Sequence, residues 1–183
     1  MTAEYAMLPA STHTRVRRER SKVSGRTQEI QRLIGRTLRG VVDLTKIPEL
    51  TFMIDCDVLQ ADGGTRTTSI TGANIAIQLA VKKLLAEKKI KANPIENSVA
   101  AVSCGIKNGE VLVDLDYSED STADADMNIV LLDDGRILEV QGTAEQSPFT
   151  VEQLTEVIRL SKESLEPVFK LQQDALEGNQ VEL

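Results

Sequence analysis

Phe52-Met53-Ile54-Asp55-Cys56-Asp57-Val58 alternates between two faces, Ala61-Asp62-Gly63-Gly64 stops the alternation, and Thr65-Arg66-Thr67-Thr68-Ser69 opens a different pattern. Across 50–58, Phe52, Ile54, Cys56 and Val58 fall on one face and Met53, Asp55 and Asp57 on the other, which is the period-two signature of a half-buried strand. Past the glycines, Ile70, Ile77, Val81, Leu84 and Leu85 recur at helical spacing and predict a helix from about Thr65 to Lys88. A strand, a glycine turn and a helix in succession commit this region to mixed α and β structure.

The flanking sequence extends the pattern in both directions. Upstream, Ile30, Leu33, Ile34, Leu38, Val41 and Val42 form one apolar stripe from Arg26 onward, with Ser24 as candidate cap and Pro48 closing the unit. Residues 1–25 show no sustained period and read as an ordered loop or arm. Downstream, a strand over 98–107 meets Asn108-Gly109, a two-residue hairpin signal, and a second strand returns over 110–117. Strands over Asp126–Leu132 and Arg136–Gly142 are joined by Asp133-Asp134-Gly135. Pro148 and Thr150 open a last helix whose apolar residues are Leu154, Val157, Ile158, Leu165 and Phe169. The expectation is an α+β fold with a mixed or antiparallel sheet, one domain over 1–175 and a flexible acidic tail over 176–183.

With 183 residues, 41 % of them hydrophobic and 27 % charged, the chain has the composition of a folded soluble domain. No apolar run reaches the roughly 20 residues of a membrane span, and no secretory signal is visible, so a cytoplasmic protein is expected. Cys56 and Cys104 each lie within an apolar run and read as reduced core thiols. The net charge of −7 conceals an asymmetry. Residues 11–40 hold nine Lys and Arg against two acids, a local balance of +7 that leaves −14 for the remainder. A basic arm on an acidic body suits a localised polyanion contact, although a solvated charged face would look the same.

Two segments carry candidate chemistry. In Asp62–Ser69 the glycines permit close backbone approach, the helix start presents free amides, and Arg66 adds a charged fork, with hydroxyls from Thr65, Thr67, Thr68 and Ser69 beside it. That combination suits an anion, and it equally describes a tight turn before a capped helix. It is neither a nucleotide P-loop nor a dinucleotide fingerprint. The second segment is Asp114, Asp116, Glu119, Asp120, Asp124 and Asp126, six carboxylates within 13 residues. Asp114 and Asp116 would share a strand face, as would Asp126 and Asn128. Asp120 and Asp126 stand at the two ends of the loop, where they can converge. Paired hard oxygen ligands with room for water suit Mg²⁺ beside a phosphate, and a solvated acidic loop fits the same residues. His13 is the single histidine, so neither a Ser-His-Asp site nor a zinc set can be assembled, and with 3 % aromatics a stacking platform is poorly supplied.

These segments, in this order, bring in a resemblance. Met-Thr-Ala-Glu-Tyr-Ala-Met-Leu-Pro at 1–9, Thr-His-Thr-Arg at 12–15, Gly-Arg-Thr-Gln-Glu-Ile-Gln-Arg-Leu-Ile-Gly-Arg at 25–36 and the block at 55–67 closely resemble bacterial ribonuclease PH. So do Asp-Tyr-Ser-Glu-Asp-Ser at 116–121, Asp-Met-Asn at 126–128 and Glu-Val-Gln-Gly-Thr-Ala-Glu at 139–145, and together they cover about residues 1–175. The resemblance implies a ribonuclease PH-like (ribosomal protein S5 domain 2-like) fold. It implies a phosphorolytic 3′→5′ exoribonuclease, a tRNA nucleotidyltransferase, that trims tRNA precursors and other RNA 3′ ends with inorganic phosphate as co-substrate and Mg²⁺ as cofactor. By the same resemblance Arg26, Gly64, Thr65 and Arg66 match phosphate-binding positions, Asp120 and Asp126 match catalytic, metal-associated carboxylates, and Arg15 and Arg18 match RNA-binding arginines of the arm. A homo-oligomeric ring, a hexamer, is implied as well.

Two departures accompany the resemblance. Ala10 stands where the family usually has arginine. The family also carries further residues, including its first strands, ahead of the position matching Thr2. The helix after Arg26 and the strand at 50–58 are therefore expected to show bare apolar surface, and the chain to be marginal, oligomeric or aggregation-prone. The alternative reading of function is a catalytically weak or inactive RNA-binding ring subunit, or an inactive truncated product.

Overall fold

The computed structural model describes residues 1–19 and 21–178. Its elements are β1 (Thr2–Met7), α1 (Gly25–Arg39), a 3₁₀ turn at Leu44–Lys46, β2 (Met53–Val58), α2 (Thr65–Ala86), β3 (Val99–Lys107), β4 (Glu110–Val113), α3 (Tyr117–Asp120), β5 (Ala125–Leu132), β6 (Ile137–Ala144) and α4 (Val151–Glu177). The strands divide into two sheets. β1 and β2 make a parallel pair, Thr2 opposite Met53 through Met7 opposite Val58. The other four make an antiparallel sheet in the order β4-β3-β5-β6.

Local signals account for most of these elements. The Ser24 side chain accepts the Thr27 amide and starts α1, and Gly40 caps its other end. Asn108 and Gly109 take φ of +52° and +83°, the conformation a tight hairpin between β3 and β4 requires. Thr150 and Gln153 form a capping box on α4.

The central strands β3 and β5 are covered on both faces. Ala100, Val102, Cys104, Ala125, Met127, Ile129 and Leu131 pack against Val157 and Leu165 of α4. On the opposite face Val99, Ala101, Val130 and Leu132 join Ile30, Leu33, Ile34 and Leu38 of α1 and Ile70, Ile77 and Val81 of α2. That second face changes character along its length. Past Ala101 the same row on β3 reaches Ser103, and on β5 the row of Val130 and Leu132 reaches Asn128 and Asp126. The apolar half is core. The polar half is the floor of a cleft.

Four expectations are corrected. Residues 2–7 form a strand and not part of an arm; only Tyr5 is buried along it, and its partner β2 lies far away in sequence. The strand expected over 110–117 ends at Val113, because Asp114 takes a left-handed φ of +63° and Asp116 caps α3, so these two do not share a strand face. The apolar stripe of α1 is fully buried against β1 and α2, with Ile30 and Ile34 at 0 % exposure, so no bare surface is left there. Helix α4 runs through Glu177 to a left-handed Gly178, where a flexible tail is expected from 176; residues 179–183 lie outside the described residues. The face of β2 is partly open: Cys56 and Val58 are half-buried and, with Ala73, Ala76 and Ile77 of α2, line a cleft of about 520 Å³.

Candidate active site

The turn before α2 is built on its glycines. Gly63 and Gly64 have φ of +78° and +56°, and Gly64 is the N-cap of α2 with no side chain capping the helix. The first helical bond runs from the Thr68 N–H to the Gly64 carbonyl at 3.0 Å, which leaves the amides ahead of it without helical partners. Not every hydroxyl nearby adds to that donor set. Thr67 Oγ1 donates to the Gly64 carbonyl and Ser69 Oγ to the Thr65 carbonyl, each at 2.8 Å, so both are turned into the helix. Thr65 Oγ1 lies 2.8 Å from the hydroxyl of the buried Tyr5.

The opposite wall is the acidic segment, and the structure separates its six carboxylates. Asp116 accepts the Glu119 amide at 2.8 Å as the N-cap of α3, and these bonds from Glu119 and Ser118 hold its carboxyl below the usual range. Glu119 completes the capping box on the Asp116 amide. Asp124 accepts the Asn108 amide at 2.8 Å and fixes the hairpin. Asp114 is exposed on its left-handed backbone. Asp120 and Asp126 remain, and both line a cleft of about 780 Å³ together with Arg26, Gly64, Thr65 and Arg66. The turn and the acidic segment are pressed together: the Tyr117 amide donates to Asp62 Oδ1 at 3.2 Å, and a Cβ on Gly63 would come within 2.2 Å of the Leu115 carbonyl oxygen.

Electrostatics couple the two walls. Burial raises the carboxyl pKa of Asp126, Arg66 opposes the rise, and the neighbouring charges of Asp120, Glu145 and Glu29 add to it. Arg66 is steered by Glu29 at 3.7 Å, which in turn accepts from Gln141 Nε2 at 3.0 Å. Among the described residues no group of three or more His, Cys, Asp or Glu is arranged around a metal position. Two carboxylates, one partly desolvated and each repelling the other, do fit a cation that keeps most of its own water, as Mg²⁺ does.

Arg15 and Arg18 do not line the cleft. They are exposed on the segment joining β1 to α1, whose residues Thr12, His13, Thr14 and Val16 form part of the cleft wall. Nothing local in the sequence gives His13 a role; its position on the wall follows from the pairing of β1 with β2, which draws the following residues over the turn at 61–64. Ser103 on the floor was also missed; it follows Val99 and Ala101 on the same row of β3 and is the point at which that row turns from apolar to polar. Both thiols are free, and burial pushes Cys104 up to about 11, which excludes a ready thiolate there.

Residues 1–83 match the model of the 3′ exoribonuclease family, domain 1, and residues 97–164 match domain 2 of the same family. Ribonuclease PH from two strains of Neisseria meningitidis, one of serogroup C and one of serogroup A, is 56 % identical over 178 residues, covering 96 % of this chain and 74 % of each relative. The chain belongs to the ribonuclease PH family. Solved structures agree on the fold. The Archaeoglobus fulgidus exosome with RNA bound to its active site matches with a TM-score of 0.72 at 19 % identity, over 93 % of this chain and 69 % of that one. Rice (Oryza sativa) Rrp46 matches with a TM-score of 0.71 at 18 % identity, over 96 % and 73 %. In ribonuclease PH terms the cleft lies between the two family segments: Arg26, Gly64 and Arg66 come from the first, Asp120 and Asp126 from the second.

Proposed function

We propose that this chain is a phosphorolytic 3′→5′ exoribonuclease that removes nucleotides from tRNA precursors and other RNA 3′ ends, with inorganic phosphate as the attacking group. The observation that carries the reading is the meeting, in one cleft, of an uncapped helix start flanked by Arg26 and Arg66 with the Asp120 and Asp126 carboxylates. Free amides and guanidinium forks are donors for phosphate oxygens and hold the nucleophile in place. A phosphate oxygen attacks the phosphorus of the terminal phosphodiester. The bond from that phosphorus to the 3′ oxygen of the preceding nucleotide breaks, and a nucleoside diphosphate and an RNA shorter by one nucleotide leave. Read backwards, the same step adds a nucleotide.

Asp120 and Asp126 are the residues that would hold Mg²⁺, which when bound supplies positive charge to the reacting phosphoryl oxygens. Glu29 and Gln141 orient Arg66 toward the cleft. Arg15 and Arg18, exposed on the segment that borders the cleft, are suited to the RNA backbone upstream of the reacting end. A ring of identical chains, a hexamer by family resemblance, and a cytoplasmic location complete the reading; among the described residues no helix is long and apolar enough to cross a membrane.

Chromatography of the products from a 3′-extended tRNA, with and without phosphate, is the test. Nucleoside diphosphates formed only with phosphate are expected, and Arg66→Ala should lose phosphate use by roughly 1.5–3 kcal/mol, the value of a charge-assisted hydrogen bond. Nucleoside monophosphates formed regardless of phosphate would overturn the reading.

A further inference from the structure

Ser103 presents a problem that the fold alone does not solve. The residue is 5 % exposed, and its Oγ is buried with no hydrogen-bond partner. Buried hydroxyls are nearly always paired, because an unpaired one gives up its bonds to water for nothing. Alanine would fit the strand equally well, as Ala100 and Ala101 show nearby, so the oxygen has no packing role that its absence would harm. Its location suggests what it meets. Ser103 lies opposite Asn128 on β5, both line the cleft, and Ser103 Oγ stands 3.4 Å from the position a Cβ on Gly64 would take. The orphan hydroxyl is therefore directly beneath the uncapped start of α2.

An anion seated on that helix start needs donors from more than one side. The amides of Thr65 and Arg66 come from the helix, and Arg26 and Arg66 add guanidinium groups. From the sheet floor, Asp126 offers a carboxylate, which repels an anion; Ser103 and Asn128 carry the floor's polar hydrogens. Glycine at 64 keeps the space between the helix start and Ser103 clear, since a side chain there would come into contact with the hydroxyl.

We propose that Ser103 is a phosphate-binding residue, its hydroxyl donating from the sheet floor to an oxygen of the inorganic phosphate held on the Gly64–Arg66 turn. This rests on the phosphorolytic reading above. Serine has one side-chain torsion with three staggered settings, so the hydroxyl reaches the ligand by rotation without displacement of β3. No group is transferred to Ser103. It remains a neutral donor throughout, and its effect falls on phosphate binding and not on the bond-breaking step.

The experiment compares the full chain with its Ser103→Ala variant in two measurements. The first is the rise in Tm on adding inorganic phosphate without RNA. The second is the KM for phosphate, with kcat and the KM for RNA, in degradation of a 3′-extended tRNA. Without phosphate the variant should be as stable as the wild type or more so, because an unpaired buried oxygen has been removed. Its phosphate-induced rise in Tm should shrink, and its KM for phosphate should increase about fivefold, the equivalent of one neutral hydrogen bond, with kcat at saturating phosphate and the KM for RNA unchanged. Ser103→Cys, which keeps the branch point but replaces the hydroxyl with a slightly larger group that is a poor donor, should lose the phosphate response like the alanine variant. A variant with the wild-type phosphate KM and thermal response overturns the proposal, as does one that fails to fold, since the hydroxyl would then be holding the strand. A wild-type chain that degrades RNA without phosphate would overturn the phosphorolytic reading itself, a separate result visible before any variant is made.

Discussion

Gly63 and Gly64 are neighbours with the same sign of φ, yet alanine at the two positions should have very different effects. At Gly64 the backbone sits in the left-handed well at +56°, and the nearest atoms to a new Cβ are Ser103 Oγ and Thr67 Oγ1, both 3.4 Å away, an ordinary contact. The cost is then conformational alone, roughly 1–2 kcal/mol for an L-residue in that well. At Gly63 the same conformational term applies at +78°, but the Cβ would lie 2.2 Å from the Leu115 carbonyl oxygen and 3.0 Å from the Asp116 carbonyl carbon. Backbone cannot rotate aside as a side chain can, so the turn and the 115–116 segment must separate by about 1 Å, an overpacking cost of roughly 1–3 kcal/mol more. Gly63→Ala should therefore lose about 2–5 kcal/mol in total, a large share of the ~5–15 kcal/mol that holds a domain together. The chemistry should suffer as well. Asp116 caps α3, and α3 carries Asp120, so opening that contact moves one of the two carboxylates proposed to act on phosphate away from the other wall. A displacement of about 1 Å at a reacting centre is worth on the order of 100-fold in rate. Urea denaturation at unchanged m-value gives the stability difference, and single-turnover phosphorolysis at saturating phosphate gives the rate. If Gly63→Ala were no less stable than Gly64→Ala, the packing of the turn against the acidic segment would be wrong, and with it the account of how the two walls are held together.

Asp126→Asn should separate stability from activity. Burial holds the Asp126 carboxyl above its ordinary value, so the folded chain binds that proton more tightly than the unfolded chain. The stability arising from this is fully present below about pH 4, the unfolded value, and is lost as pH rises through the folded value. At neutral pH without Mg²⁺ the asparagine variant should accordingly unfold at higher urea than the wild type, the gap should close in acid, and turnover should collapse while RNA binding persists. A variant less stable than wild type at neutral pH would refute the desolvation argument. Arg15→Ala and Arg18→Ala should weaken RNA binding across sequences and flatten its dependence on salt, because each lost phosphate contact releases one counterion fewer; an unchanged slope in a salt titration of RNA affinity would remove both from the interface.

How legible the site was in the sequence depends on whether the relevant signal was local. Ser24, Asn108-Gly109 and Thr150 announce their caps and turn within a few residues, and the structure uses all three. β1 carries no such signal, since one buried side chain in six leaves no alternation to detect, and its pairing with β2 depends on a parallel crossover through α1. The six carboxylates could be sorted only in part. Asp116 with Glu119 three residues on is a capping-box spacing, so two of the six were open to reassignment from sequence. Asp124 was not, because its partner is the amide of Asn108 across the sheet. What joins the glycine turn to Asp126 is phase. Val99, Ala101 and Ser103 on β3 and Leu132, Val130, Asn128 and Asp126 on β5 each keep a period of two, and their apolar members pack against α2. The helix that covers the apolar half of this face therefore begins over its polar half, and the uncapped amides at its start are brought above Ser103 and beside Asp126 by the same alternation that builds the core.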